Sequence, residues 1–247
     1  MAGHSKWANI KHRKGAQDAK RGKIFTKLIK EITVATKEGG SDVDTNPRLR
    51  LAVQNAKGAN MPKDTIERAI KKGSGADAGD YTEVTYEGYA IKGVGIFVEC
   101  TTDNLNRTVS SVRSIITKHG GSLGTNGSLE FIFDRKGVFI LPRPESMDPD
   151  DLTLELIDAG ADEIEEHEGL MHITCVMEDF GHVQKKLEEL KLEPESAELQ
   201  RIPNTLVELE DDVFTKVMRM VDALEDDDDV QKVYHNVDIK EKQLSLI

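Results

Sequence analysis

Apolar residues in the first third of the chain recur with helical spacing. After Arg21 they follow at intervals of three and four positions, which predicts an amphipathic helix that ends at Gly39 and Gly40. Asn46 before Pro47, and then Pro62, are start signals for two further helices that end near Lys57 and at Gly73. We therefore predict a three-helix bundle, with residues 74–80 (SGADAGD) as a linker.

Beyond Tyr81, short apolar runs with strand-like composition replace the helical spacing. We predict strands TEVTYEGYA and VGIFVEC, a helix over 105–119 and strand SLEFIF. Next come strand GVFILP, a helix over 150–159, strands DEIEE and LMHITC, a helix over 180–190 and a strand over 197–202. Strand TLVELE, a helix over 213–224 and strand VQKVYHN complete the predicted series.

The order of these elements predicts an α+β fold class. The middle series runs strand, helix, strand, strand, helix, strand, which is the order of ferredoxin-like folds. Joining residues 94–133 with 205–236 gives the same order again. We predict three domains: a basic helical domain with a flexible N-terminal arm (1–78), a discontinuous ferredoxin-like βαββαβ domain (79–134 plus 204–247), and a second ferredoxin-like domain inserted into it (135–203).

Charge is distributed unevenly along the 247 residues. The total net charge is −12, yet residues 1–75 contain 17 Lys plus Arg against 7 Asp plus Glu, a net charge of +10. The remainder has 16 basic and 38 acidic residues, a net charge of −22. A polyanion would be attracted to one end of such a chain and repelled by the other, which favours nucleic acid as a partner.

The candidate nucleic-acid-binding residues lie in the arm and along one flank of the first helix. Lysines recur at helical spacing on that flank, and the arm adds basic residues, a histidine and a tryptophan that can stack on an unpaired base. The full set is Lys6, Trp7, Lys11, His12, Arg13, Lys14, Lys20, Arg21, Lys23, Lys27 and Lys30. A solvated helix face with a flexible tail is the alternative interpretation.

Three other polar segments have simpler interpretations. Asn104 or Asp103 can cap the helix that follows, and with Arg107 this helix start is a possible secondary anion site. The glycine-rich stretch 119–128 follows a helix and precedes a predicted strand, so we interpret it as a turn rather than a phosphate loop. The acidic runs at 162–168 and 226–229 are expected to be solvated surfaces.

Several classes of protein are not indicated. Cys100 and Cys175 are 75 positions apart without other ligand types beside them, so we expect neither a disulfide nor a zinc site. No catalytic motif, metal site, cofactor or small-molecule substrate is evident, and we expect a non-enzyme. No apolar stretch has the length of a membrane span, and the N-terminus lacks the apolar core of a secretory signal, so we expect a cytoplasmic protein.

Several motifs together resemble the YebC/PmpR family. The resemblance begins with MAGHSKW at 1–7 and continues through Lys11 to Lys14, QDAKRGKIF at 17–25 and 46–50. It extends through Tyr86, Glu87 and Gly88, through Asn104, Asn106, Arg107 and Thr108, through Gly120 and Gly121, and through VQKVYHN at 230–236. It covers essentially the whole chain, and the first 25 positions are highly specific.

The resemblance implies a cytoplasmic, three-domain, non-enzymatic protein in which the basic helical domain comes first. Family members are described as transcriptional regulators that bind DNA. Relatives that include a mitochondrial translational activator are associated instead with the ribosome, and some are linked to the relief of stalls at proline-rich stretches. Two alternatives therefore remain open: a transcriptional regulator, or a translation factor that binds ribosomal RNA.

Overall fold

The computed structural model describes residues 21–75, 79–144, 147–167 and 169–246. Among these residues, three helices come first: α1 (Arg21–Gly39), α2 (Pro47–Gly58) and α3 (Lys63–Gly73). The start of α2 is the predicted one, because the Asn46 side chain accepts a hydrogen bond from the Leu49 N–H at 3.0 Å and Pro47 occupies the first turn. The predicted flexible arm lies outside the described residues.

The chain divides into two compact units. Of the described residues, the first unit contains 21–30, 79–134 and 202–246, and the second contains 31–75, 135–144, 147–167 and 169–201. The division falls within α1. The sheet of the second unit is thus inserted in the sequence between two parts of the first, while the exact boundaries of three domains stay a prediction.

The first unit is built on a four-stranded antiparallel sheet. Its strands are β1 (Thr82–Tyr89), β2 (Gly95–Thr102), β3 (Ser122–Leu123) and β8 (Val230–His235), in the order β3-β1-β2-β8. Two helices, α4 (Leu105–Lys118) and α7 (Asp211–Glu225), share a core with the sheet. In β2, Ile96 and Val98 belong to this core, whereas Phe97 between them packs in a separate cluster, as expected for alternating strand residues.

The predicted strand SLEFIF (128–133) is wrong. Residues 126–132 form turns, and β4 begins only at Phe133. The Glu87 carboxylate accepts hydrogen bonds from the N–H groups of Gly127 and Leu129, both at 2.7 Å, which holds this segment across the sheet. Leu129, Ile132 and Phe133 pack on Phe97 with the spacing of a helical turn rather than with the alternation of a strand.

The predicted strand TLVELE (205–210) is also wrong. Its ladder is limited to one isolated bridge, between Val207 and Val237. Asn236 fixes the segment through its side chain, which donates to the Thr205 carbonyl at 3.0 Å and accepts from the Gly95 N–H at 2.8 Å. In the sheet, β1 occupies the place beside β2 that this strand would have in a ferredoxin-like fold. The first unit therefore has four strands and two helices, but their order along the chain differs from the prediction.

The second unit has the predicted order of elements. They are β4 (Phe133–Pro142), α5 (Pro149–Asp158), β5 (Ala161–His167), β6 (Leu170–Val176), α6 (Phe180–Glu189) and β7 (Ser196–Pro203). The sheet order β5-β6-β4-β7 is that of a ferredoxin-like fold. The α+β fold class, with N-terminal helices followed by two antiparallel sheets, is confirmed.

Helix α2 is attached to this second sheet by paired hydrogen bonds. The Asn55 side chain donates to the Ala197 carbonyl and accepts from the Ala197 N–H, both at 3.0 Å. Leu51 packs against the same apolar core. At Gly58 an added Cβ would lie 1.9 Å from the Glu195 carbonyl oxygen, so the approach of helix and strand requires glycine there.

Candidate nucleic-acid interface

The structure describes part of the predicted interface. Its arm residues lie outside the described residues; they are Lys6, Trp7, Lys11, His12, Arg13, Lys14 and Lys20. Arg21 is the first residue of α1. Lys23, Lys27 and Lys30 follow on α1, and each has at least one polar partner elsewhere in the first unit.

The three lysines reach the acidic turn (residues 226–229) and the strand that follows it. Lys23 Nζ lies 3.0 Å from the Asp226 carboxylate and donates to the Asp226 carbonyl at 3.1 Å. Lys27 donates to the Gln231 carbonyl at 3.4 Å. Lys30 donates to the carbonyls of Thr101 and Asp228 at 2.9 and 2.8 Å. The turn follows the end of α7, where lysines also offset the negative end of the helix dipole.

Asp229 is the buried centre of this turn. Its side chain is 8% exposed, and its carboxylate lies 3.6 Å from Lys30 Nζ, an ion pair in which Lys30 is itself 11% exposed. Arg107 donates to both carboxylate oxygens, at 2.8 to 3.0 Å, and the Thr108 hydroxyl donates at 2.8 Å. The expectation that run 226–229 is a solvated surface is therefore wrong for Asp229, because its charge is matched by two cations.

The ionisation of Asp229 follows from these contacts. Burial by itself raises the pKa of Asp229, but the hydrogen bonds from Arg107 and Thr108 and the nearby charges outweigh it, so the net pKa lies below its ordinary value. In return, the hydrogen bonds that Arg107 donates to Asp229 and Asp103 raise the pKa of Arg107. Both groups are thus charged at neutral pH, and the contact is an ion pair.

The possible secondary anion site is explained by the same contact. Asn104 caps α4, because its side chain accepts a hydrogen bond from the Arg107 N–H at 3.0 Å. The Arg107 guanidinium binds Asp229 and also Asp103, at 2.9 Å. The structure thus places a carboxylate of the same chain where a bound anion was predicted.

Further exposed lysines, which the sequence-based set does not include, lie on the helices of the second unit. Lys71 and Lys72 end α3 and are exposed, as is Lys57 near the end of α2. The described residues provide no partner for these three lysines. Two neighbouring arginines differ, because Arg48 pairs with Glu31 and Glu38, and Arg68 bonds within its own helix.

Lysine spacing alone could not separate the lysines of α1, which contact the acidic turn, from the exposed lysines of α2 and α3. Helical periodicity identified the flank of α1, but the acidic turn that it meets lies far later in the sequence, at separations of 198 to 203 residues. The one signal available was the opposite charge of run 226–229. For α3, the paired lysines at its C-terminus could have been noticed as exposed charges that end a helix.

Other chemistry is not apparent among the described residues. Within them, no group of three or more His, Cys, Asp or Glu side chains could hold a metal ion. Cys100 and Cys175 are free and buried. Burial chiefly raises the pKa of Cys100 to about 12 and that of Cys175 to about 11, so both stay as thiols at neutral pH. None of the described helices is long and apolar enough to cross a membrane.

Comparisons with known proteins cover nearly the whole chain. A family model described as the TACO1/YebC protein N-terminal domain matches residues 5–76, and one described as the TACO1/YebC second and third domain matches residues 81–237. A "Probable transcriptional regulatory protein" of Amoebophilus asiaticus is 62% identical over 239 residues, which are 96% of this chain and 98% of the relative. Another of the same name, from Persephonella marina, is 50% identical over 250 residues and covers 100% of both chains.

A solved structure supports the fold. The crystal structure of a conserved hypothetical protein from Aquifex aeolicus matches with a TM-score of 0.79 at 43% identity, over 91% of this chain and 93% of that one. Fold and sequence thus define an α+β protein, with N-terminal helices and two antiparallel sheets, whose two relatives named above are called probable transcriptional regulatory proteins. The chain belongs to the TACO1/YebC family.

Replacing Asp229 tests the ion-pair centre. We expect Asp229→Asn to lower the free energy of unfolding by about 2 kcal/mol, because it leaves Lys30 and Arg107 without the carboxylate that they share. Urea denaturation measures the change. Asp228→Asn is the matched control, since Asp228 is exposed and meets Lys30 through its backbone carbonyl, and a change within about 0.5 kcal/mol is expected. Equal effects of the two substitutions would contradict this role of Asp229.

The unsubstituted protein and Asp229→Asn together also give a prediction about pH. Because the pKa of Asp229 is lowered by folding, its stabilising contribution is present above the ordinary carboxyl pKa of about 4 and is lost as pH falls through the lower, folded value. The difference in unfolding free energy between the unsubstituted chain and Asp229→Asn should therefore shrink when urea titrations are repeated from neutral pH down to pH 3. A difference that is independent of pH would contradict the ionised state assigned to Asp229.

Proposed function

We propose that the chain is a cytoplasmic, non-enzymatic regulatory protein that binds nucleic acid through its basic N-terminal region, and that it acts on DNA as a transcriptional regulator. One observation carries the proposal: a net charge of +10 over residues 1–75 precedes a net charge of −22 over the rest. Such a chain attracts phosphates at one end by counterion release. The names of the relatives support regulation as the role.

We assign different tasks to the basic residues. Lys71, Lys72 and Lys57 offer charges that no described residue neutralises, which suits contacts with phosphate. Lys23 forms an ion pair in which both side chains are nearly half exposed, at 45% and 48%, so exchange of Asp226 for a phosphate costs little. Lys30 is held by the buried Asp229 and serves chiefly to fix the acidic turn to α1. The arm residues add further phosphate and base contacts.

A matched set of lysine substitutions tests this assignment. We expect Lys71→Gln with Lys72→Gln to weaken binding to duplex DNA at low salt similarly for all sequences, and to make the slope of log affinity against log salt shallower by about 1 to 2. Fluorescence anisotropy over a salt series measures both quantities. The control is Lys185→Gln with Lys216→Gln, which removes the same charge from exposed positions in the acidic part of the chain.

Two results would contradict the assignment. An unchanged slope for the Lys71 and Lys72 pair would remove α3 from the interface. An equal loss of DNA affinity for Lys185→Gln with Lys216→Gln would show that only the total charge of the protein matters.

The alternative function is a ribosome-associated translation factor that binds ribosomal RNA and relieves stalls at proline-rich stretches. The observation that favours it is the composition of the basic region, which is mostly lysine on helices and in an arm, rather than the arginine, asparagine and glutamine side chains that usually read base edges. The strongly acidic remainder also suits a protein that inserts one end into a particle.

Deletion of residues 1–14 separates the two functions. Purified full-length and shortened chains are titrated against intact ribosomes and a panel of duplex DNAs near physiological salt. A transcriptional regulator should bind some duplexes more tightly than others by several kcal/mol, lose affinity on deletion, and ignore ribosomes. Saturable, arm-dependent ribosome binding with weak, sequence-independent DNA binding would favour the translation factor. The circular dichroism spectrum should stay unchanged by the deletion.

A further inference from the structure

Strand β1 has a largely open edge. On one side it pairs with β2 over its whole length, from Thr82 to Tyr89. On the other side its neighbour is the two-residue strand β3, which pairs only with Gly88 and Tyr89. In the part of the chain that the structure describes, no strand therefore pairs with Thr85 on that side.

The register shows which backbone groups face the open edge. The Gly124 N–H donates to the Glu87 carbonyl at 2.8 Å on the β3 side, whereas the Ala90 N–H donates to the Val94 carbonyl at 2.8 Å on the β2 side. Because these groups alternate along a strand, the N–H and C=O of Thr85 point away from β2. An exposed edge of this kind is a template for another strand.

A cleft of about 570 Å³ borders this edge. One wall is a face of α4, formed by Val109, Arg113 and Thr117 at successive intervals of four residues, and the other is β1 at Tyr86 and Glu87. The end wall is the loop from Ser122 to Asn126. Hydrogen bonds from Gly127 and Leu129 to the buried Glu87 carboxylate fix the chain just beyond that loop.

The charge in the cleft selects its occupant. Arg113 is exposed, and the described residues provide no partner for its guanidinium, which is shaped to bind a carboxylate through two hydrogen bonds. Glu83 is exposed on the adjoining strand, so a polyanion such as nucleic acid would meet negative charge along the edge. A peptide strand instead matches the two-residue repeat of the backbone groups and can carry a single acid.

We propose that the cleft between α4 and the open edge of β1 binds an extended peptide segment of a partner protein, which adds to β1 as an antiparallel or parallel strand and places an acidic side chain on Arg113. The backbone groups at Thr85 supply hydrogen bonds that are independent of peptide sequence. Arg113 supplies the preference for an acidic residue. The cleft shares no lining residue with the basic residues assigned to nucleic acid, so the two binding events can be tested with separate substitutions.

Peptide selection on the full-length chain provides the probe. A phage library of random peptides is selected on immobilised protein, and enriched peptides are synthesised and titrated by fluorescence anisotropy. They should share an aspartate or glutamate and lose about tenfold in affinity with Arg113→Gln, as expected for one charge-assisted pair. Lys118→Gln, an exposed lysine on the same helix outside the cleft, is the matched control and should change affinity less than about twofold.

Backbone N-methylation of the peptide tests strand addition directly. Methyl groups at alternate positions should abolish binding, and those at the intervening positions should not, because only every second N–H faces β1. The Thr85 amide should exchange more slowly with solvent deuterium when the peptide is bound. The proposal is overturned if no peptide is enriched, if binding ignores Arg113→Gln, if N-methylation shows no alternation, or if a DNA or RNA oligonucleotide rather than a peptide protects Thr85.

Discussion

Lys30 and Arg107, which are far apart in the sequence, meet at the buried carboxylate of Asp229. Arg107 opens α4, Lys30 lies on α1, and Asp229 precedes β8, so one carboxylate connects three elements of the first unit. The contact combines opposite charges with short hydrogen bonds, including one from Thr108 at 2.8 Å. Removing Asp229 would leave Lys30, whose side chain is 11% exposed, charged in a poorly solvated place, so the contact constrains the elements that it joins.

This constraint changes how the basic surface is interpreted. A lysine stripe on a helix is usually taken as a surface for phosphates, yet the structure directs Lys30 to an acidic turn of its own chain. Surface exposure then separates lysines that stabilise the fold from lysines that are available to bind phosphate. The long-range charge asymmetry of the sequence supports nucleic-acid binding, whereas local contacts determine which side chains can contribute.

Much of the fold could be predicted from the sequence, because caps and periodicity are local signals. The start of α2 at Asn46 and Pro47, and the order of elements from β4 to β7, follow from such signals. The segments at 128–133 and 205–210 could not be assigned correctly, because the Glu87 carboxylate and the Asn236 side chain hold them from distant positions. For the candidate site, periodicity identified the lysines of α1, but the burial of Asp229 depends on tertiary contacts that no local pattern reveals.

Chemical labelling gives the most direct test of the division between lysines that stabilise the fold and lysines that are available to bind nucleic acid. Full-length protein is treated briefly with an amine-acetylating reagent, with and without duplex DNA at low salt, and modification at each lysine is measured by mass spectrometry. We expect little labelling of Lys30 in both states, and ready labelling of Lys71 and Lys72 that DNA suppresses. Ready labelling of Lys30 in the free protein, with protection by DNA at Lys30 but not at Lys71 and Lys72, would show that Lys30 rather than α3 contacts DNA.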